Sequence, residues 1–150
     1  MENKKGILYL VPTPIGNMED ITYRALKVLN EVDVIFCEDT RISKELLKFY
    51  KITKNLISSN EQNELKRTEL MINYLSSNKN VAIITDRGTP IISDPGYILV
   101  KKAIEEGYEV IGLPGANAAT TALIISGLNP YPYLFYGFLK ANNKKKIENL

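Results

Sequence analysis

The residues best suited to chemistry fall in three short stretches dense in glycine, proline and small polar side chains, at positions 12–17, 85–96 and 113–120. Glycine lets a ligand approach the backbone closely, and proline stiffens a loop before the ligand arrives. Uncommitted backbone amides in such loops can bind a carboxylate or the edge of an adenine. Any one of these stretches is equally an ordinary turn. Three in one short chain favour a preorganised polar cradle of the kind an adenosyl ligand needs. A fourth cluster, Glu38-Asp39-Thr40-Arg41, sets two carboxylates beside a guanidinium. It has two readings: a group that contacts a ribose or accepts a proton, or a helix cap by Asp39 or Thr40 with a local ion pair to Arg41. Asp94 reads as a cap ahead of Pro95 at a first helical position.

What is missing narrows the chemistry further. The chain has no histidine and one cysteine, Cys37. Catalytic triads built on imidazole, thiol-based zinc sites and intramolecular disulfides are therefore excluded, and no metal site is expected. The first loop holds only Gly16, so the G-x-G-x-x-G fingerprint of dinucleotide binding is absent. A net charge of +2 leaves the partner open, and Lys144-Lys145-Lys146 reads as a solvated face.

The elements that must position these loops follow from hydrophobic periodicity. Short apolar runs predict buried strands over residues 7–11, 32–36, 81–84 and 108–111, with a further one at 134–138. Between them, helical spacing predicts helices over 42–50, 61–75, 96–106 and 118–126. Another is set by Ile21, Ala25, Val28 and Leu29, with Glu19 and Asp20 at its start. Strands alternating with helices predict an α/β domain with a mostly parallel sheet covered on both faces. In such sheets ligands bind at the carboxyl ends of the strands, where the three loops lie. With 150 residues, 45% hydrophobic and 24% charged, one ordinary globular domain is expected. No apolar run approaches the ~20 residues of a membrane-spanning helix or the core of a signal peptide. A cytoplasmic protein without membrane association is expected.

Four segments in register carry a family resemblance. They are Leu8-Tyr9-Leu10-Val11-Pro12-Thr13-Pro14-Ile15-Gly16-Asn17; Cys37-Glu38-Asp39-Thr40-Arg41; Asp86 with Gly88-Thr89-Pro90-Ile91-Ile92-Ser93-Asp94-Pro95-Gly96; and Leu113-Pro114-Gly115 with Thr120-Thr121-Ala122-Leu123. Together they resemble the ribosomal RNA small-subunit ribose 2′-O-methyltransferase family of the tetrapyrrole methylase superfamily. Tyr136-Gly137-Phe138-Leu139 is similar to that family's next motif.

The resemblance implies two α/β domains with S-adenosylmethionine in the cleft between them. The methyl acceptor would be the 2′-hydroxyl of a cytidine in the RNA of the small ribosomal subunit. Residues 1–139 would be the cofactor-binding domain and 140–150 a linker towards a second domain. By carry-over, the cofactor touches Pro12, the turn Gly88-Thr89-Pro90 through Ile92, and Gly115-Ala116-Asn117-Ala118. Glu38, Asp39 and Arg41 are the catalytic candidates, and the second domain is the other source of a base. An apolar surface without its second domain would favour a homodimer.

Three positions depart from the family pattern. Arg87 stands where alanine is usual, Asn117 where serine is common, and Ser58-Ser59-Asn60 where a Tyr-His pair usually precedes the acid at Glu61. The missing histidine weakens any acid–base role for that loop. Two other readings stay open: a methylase of small tetrapyrroles on the same fold, and a nucleotide- or RNA-binding module without catalysis.

Overall fold

The computed structural model describes residues 5–138. Their contacts divide into two compact units, Met1–Asn117 and Ala118–Leu150. The first unit holds five strands: β1 (Ile7–Leu10), β2 (Val34–Cys37), β3 (Leu56–Ser58), β4 (Val81–Ile84) and β5 (Glu109–Gly112). Four helices connect them: α1 (Tyr23–Glu31), α2 (Thr40–Phe49), α3 (Glu64–Ser76) and α4 (Tyr97–Glu105). The strands form one sheet in the order β3-β2-β4-β1-β5 with every neighbouring pair parallel.

Every side chain of β2 and β4 is buried, which is why these runs are apolar throughout rather than alternating. Period-two alternation sends them to opposite faces. Ile35, Cys37, Ala82 and Ile84 join Val28 and Leu29 of α1 and Leu47 of α2 in one core cluster. Val34, Phe36, Val81 and Ile83 join Met71 and Leu75 of α3 and Leu99 of α4 in the other. Phe36 is fully buried, and its truncation to alanine would cost about 3–5 kcal/mol. The expected parallel sheet with helices on both faces is thus present.

Several local expectations are corrected. Strand β3 has no counterpart among the expected strands; it is three residues long and half-buried at the sheet edge, where a continuous apolar run is not needed. Glu19 and Asp20 lie in a short 3-10 turn, Met18–Asp20, while α1 starts later under a cap from Thr22, whose hydroxyl accepts from Ala25 N at 3.0 Å. Asp94 does not cap α4. The cap position is Gly96, at φ 120, and its amide donates to Glu64 of α3 instead. Residues 134–138 are irregular rather than a strand. The expected domain end at Leu139 and the linker at 140–150 lie outside the described residues.

The second unit is built around α5 (Ala118–Ile125) and is rich in exposed apolar side chains, among them Ile124, Ile125, Leu128, Leu134 and Phe138. Among the described residues, no helix is long and apolar enough to cross a membrane.

Candidate functional site

The sheet order fixes where a site can form. The chain leaves β1 towards β2 on one side and leaves β4 towards β5 on the other, yet β1 and β4 are neighbours. The loops after two such strands leave the sheet at a switch point, at the carboxyl ends where α/β sheets bind ligands. Those loops are residues 11–22 and 85–96, two of the three singled out by composition.

The structure stitches them together. Thr13 N donates to Gly88 O at 2.9 Å and Gly88 N returns the bond to Thr13 O at 3.0 Å. The Thr13 hydroxyl, fully buried, donates to Thr85 O at 3.1 Å. The third loop joins through the Thr89 hydroxyl, which donates to Ala116 O at 3.0 Å, and through Leu113 N, which donates to Leu10 O. Gly115 sits so close to Pro12 that a Cβ there would lie 2.5 Å from the proline Cβ. Three loops far apart in sequence therefore form one interlocked surface.

Backbone strain concentrates in the same place. Gly88 (φ 89) and Gly96 (φ 120) occupy conformations natural to glycine, but Ile91 (φ 75) and Ser93 (φ 61) hold positive φ as well. Positive φ is a genuine outlier for a β-branched residue such as Ile91. Such strain persists only where surrounding structure over-determines the backbone, and it clusters at ligand sites.

Of the expected cofactor contacts, the structure brings together Pro12, Gly88, Thr89, Gly115 and Ala116. Pro90 is buried and Ile92 exposed on the same β4 loop, and Asn117 follows Ala116 directly. Ala118 opens the second unit as the first residue of α5.

The charged candidates resolve into two groups. Asp39 caps α2 and takes the Arg41 side chain at 2.6 Å, so these two residues serve the helix start and each other. The guanidinium and the amide of Arg41 hold the Asp39 carboxyl at about 2. Glu38 behaves differently: burial, reinforced by Asp86, Asp94, Asp39 and Glu61, pushes its carboxyl up. Asp86 is raised too, first by burial and then by Asp39 and Asp94 against the backbone amide of Asp39 and the charge of Arg87.

Sequence reasoning did not single out Asp86 as a catalytic candidate. Cys37 and Ile84 are register partners, so the residues just beyond each strand emerge side by side, and Asp39 N donates to Asp86 Oδ1 at 3.3 Å. The signal was an acid two residues after each of two strands, Asp39 after β2 and Asp86 after β4; what hid it was that their adjacency depends on sheet order. Glu38, Asp39, Arg41, Ser58, Asn60 and Asp86 border an open pocket of about 410 Å³. Arg87 is exposed and forms no ion pair among the described residues. No cluster of three potential metal-binding side chains occurs among them.

The comparisons with known proteins agree with this geometry. Ribosomal RNA small subunit methyltransferase I of Bacillus subtilis (strain 168) is 51% identical over 145 residues, 97% of this chain and 50% of that protein. The protein of the same name from Pasteurella multocida (strain Pm70) is 45% identical over 150 residues, 100% of this chain and 53% of that protein. The chain thus spans about half the length of the curated relatives it matches. Among solved structures, diphthine synthase aligns with a TM-score of 0.66 at 19% identity, covering 83% of this chain and 50% of that one. Uroporphyrin III C-methyl transferase from Thermus thermophilus aligns with a TM-score of 0.61 at 22% identity, covering 83% of this chain and 53% of that one. At these identities the likeness shows the fold alone. The family described as Tetrapyrrole (Corrin/Porphyrin) Methylases matches residues 7–135, so that β1 through β5 and their connecting loops all fall within it, and the chain belongs to that family.

Proposed function

We propose that this chain forms the cofactor-binding part of an S-adenosylmethionine-dependent methyltransferase that modifies the RNA of the small ribosomal subunit at a cytidine ribose 2′-hydroxyl. The observation that carries the reading is the interlocking of three glycine- and proline-rich loops at the switch between β1 and β4. The fit to an adenosyl cofactor rests on their backbone. An added Cβ at Gly88 would lie 3.2 Å from the Ile15 side chain and one at Gly115 2.5 Å from the Pro12 ring, so both positions need glycine for the loops to meet, and Ile91 and Ser93 hold strained positive φ in the β4 loop. Pro12, Gly88, Thr89, Pro90, Ile92, Gly115, Ala116 and Asn117 would line the site, and Ala118 remains a contact implied by the family resemblance.

The bound cofactor would supply the methyl group. The chain's own task is then to align the acceptor oxygen and to take up its proton. Glu38 and Asp86 suit the second role, because their raised affinity for a proton brings them nearer to neutral operating conditions. Asp39, held at about 2 by Arg41, is the poorer acceptor. The names of the half-identical relatives support RNA over a small tetrapyrrole as substrate. They also support a cytoplasmic location, and a homodimer would cover the exposed apolar side chains of the second unit.

Calorimetric titration of the 150-residue chain with S-adenosylmethionine tests the cofactor site, and transfer of labelled methyl from the cofactor to isolated small ribosomal subunits tests the substrate. One domain supplies one wall of the cleft, so the 150-residue chain should bind weakly and transfer no methyl group alone, and both measurements are repeated on a version carrying the second domain. A heat-silent titration of that version would sink the first part, and its labelling of a tetrapyrrole and not of RNA would sink the second.

A further inference from the structure

An open groove of about 770 Å³ runs along the outer side of α2, floored by Leu47, Ile52 and Leu56. Its rim carries five basic side chains, Arg41, which is paired with Asp39, and Lys44, Lys48, Lys51 and Lys54, and no acid lines it. The spacing of 41, 44 and 48 places the first three on one face of α2, and Lys51 and Lys54 follow in the segment just after it. Four lysines elsewhere are paired with an acid: Lys27 with Glu31, Lys101 with Glu105, Lys102 with Glu106 and Lys79 with Asp33. Among the described residues, Lys44, Lys48, Lys51 and Lys54 form no ion pair at all. In a chain whose net charge is only +2, this is a concentrated positive field.

Two features show that the arrangement is more than a solvated helix face. Lys51 adopts φ 58 just beyond the end of α2, where glycine is the usual choice, and the turn brings Ile52 N back to Leu47 O at 2.9 Å. A lysine thus stands where glycine would relax the backbone. Helix-dipole complementarity accounts for Lys48 in the last turn, but not for Arg41, Lys44 or Lys54. Moreover, Thr40 and Arg41 also border the pocket that holds Glu38 and Asp86, so the groove runs directly into the candidate site.

We infer that this groove binds the phosphodiester backbone of the RNA substrate on one side of the nucleotide being modified, an inference that rests on the proposed function. A helix of ten residues is about 15 Å long, enough at ~3.4 Å per nucleotide for about four phosphates. Backbone contacts of this kind position a strand without reading its sequence. The groove supplies the grip, and the loops after β2 and β4 receive the ribose.

The test uses the chain with lysines 44, 48 and 54 replaced, Lys44→Gln/Lys48→Gln/Lys54→Gln, beside a control, Lys101→Gln/Lys102→Gln, on the far helix α4. Lys44, Lys48, Lys101 and Lys102 are exposed and Lys54 is half-buried, and circular dichroism checks the fold. Binding of a fluorescent RNA hairpin is followed by anisotropy across a salt series, and S-adenosylmethionine binding by calorimetry. The groove variant should lose roughly tenfold or more in RNA affinity. Its log–log salt slope should flatten by about 2, as expected for three lost phosphate contacts. The control should bind RNA as the parent does, and cofactor affinity should stay unchanged in both. Equal RNA binding by the groove variant and the parent overturns the inference, as does an equal loss in the control. Binding of phosphatidylserine vesicles with no binding of RNA overturns it in favour of a membrane surface. A chain that binds RNA through the groove but does not bind the cofactor refutes the proposed function and leaves the groove standing.

Discussion

Glu64 Oε1 accepts the backbone amide of Gly96 at 2.8 Å and that of Ile98 at 3.3 Å, so the first turn of α3 caps the start of α4 across 32 residues of sequence. Gly96 closes the strained β4 loop, which makes this carboxylate the outer anchor of the candidate cofactor surface. A capping side chain is worth about 0.5–2 kcal/mol. Glu64→Ala should therefore lower the melting temperature by about 2–4 °C for each kcal/mol lost. It should also weaken S-adenosylmethionine binding through a loosened β4 loop. Thermal denaturation and calorimetry together check this; an unchanged melting temperature would show that the two bonds contribute nothing.

Gly115→Val should cost cofactor affinity more than stability. The added Cβ would lie 2.5 Å from the Pro12 ring, so the loop must shift by a sizeable fraction of an ångström, and the surface it shares with Thr89 and Gly88 shifts with it. Gly112→Ala, three residues earlier, adds a methyl group that meets nothing within 4 Å and serves as the control. Calorimetry should show at least a tenfold weaker affinity for the first and no change for the second. A folded Gly115→Val chain that binds like the parent would remove Gly115 from the site.

How far the sequence could disclose this arrangement depended on the kind of signal. Val34-Ile35-Phe36-Cys37 and Val81-Ala82-Ile83-Ile84 announce buried strands because both faces are covered. The glycine and proline loops announce themselves because special backbone angles need those residues. Leu56-Ile57-Ser58 is too short and too exposed to stand out. Glu64 carries no signal of its own in the sequence; its partnership with Gly96 depends on how α3 and α4 pack. Asp94, beside Pro95, offered a better local cap than the one the chain uses. Asp86 became a neighbour of Asp39 only through the order of β2 and β4, which hydrophobic periodicity does not encode.

The second unit should drive self-association. Ile124, Ile125 and Leu128 are each more than 70% exposed, at 76, 78 and 72%, on a short segment that also carries Leu134 and Phe138. Large apolar side chains left exposed in such numbers on one segment favour burial against a partner. Sedimentation equilibrium should find a dimer for the parent chain and a monomer for Ile124→Asp/Leu128→Asp. Identical masses for both would show that the exposed residues are not what holds copies together.

Glu38 and Asp86 should make the chain less stable at neutral pH than its neutralised variant. Burial comes first in raising each carboxyl, with nearby acids adding to it. A carboxyl raised in the folded state contributes stability that is complete below its ordinary range, when it is protonated. That stability is lost as the pH rises through the raised value. Asp39, held at about 2 by its bonds to Arg41, runs the other way and loses its contribution only as the pH falls towards that value; it is common to both proteins compared. Glu38→Gln/Asp86→Asn removes both charges while Asn keeps an Oδ1 for the amide of Asp39. At pH 7 the variant should melt higher, by about 1 kcal/mol at most because solvent screens half-exposed groups, or about 2–4 °C. Near pH 3 the two proteins should converge, since the parent carboxyls are then protonated. If either group takes up the proton of the acceptor hydroxyl, the same variant should lose methyl transfer to small subunits while gaining stability. A variant that melts lower than the parent at pH 7 would show that these carboxylates stabilise the fold, and the proton-acceptor role would lose its physical basis.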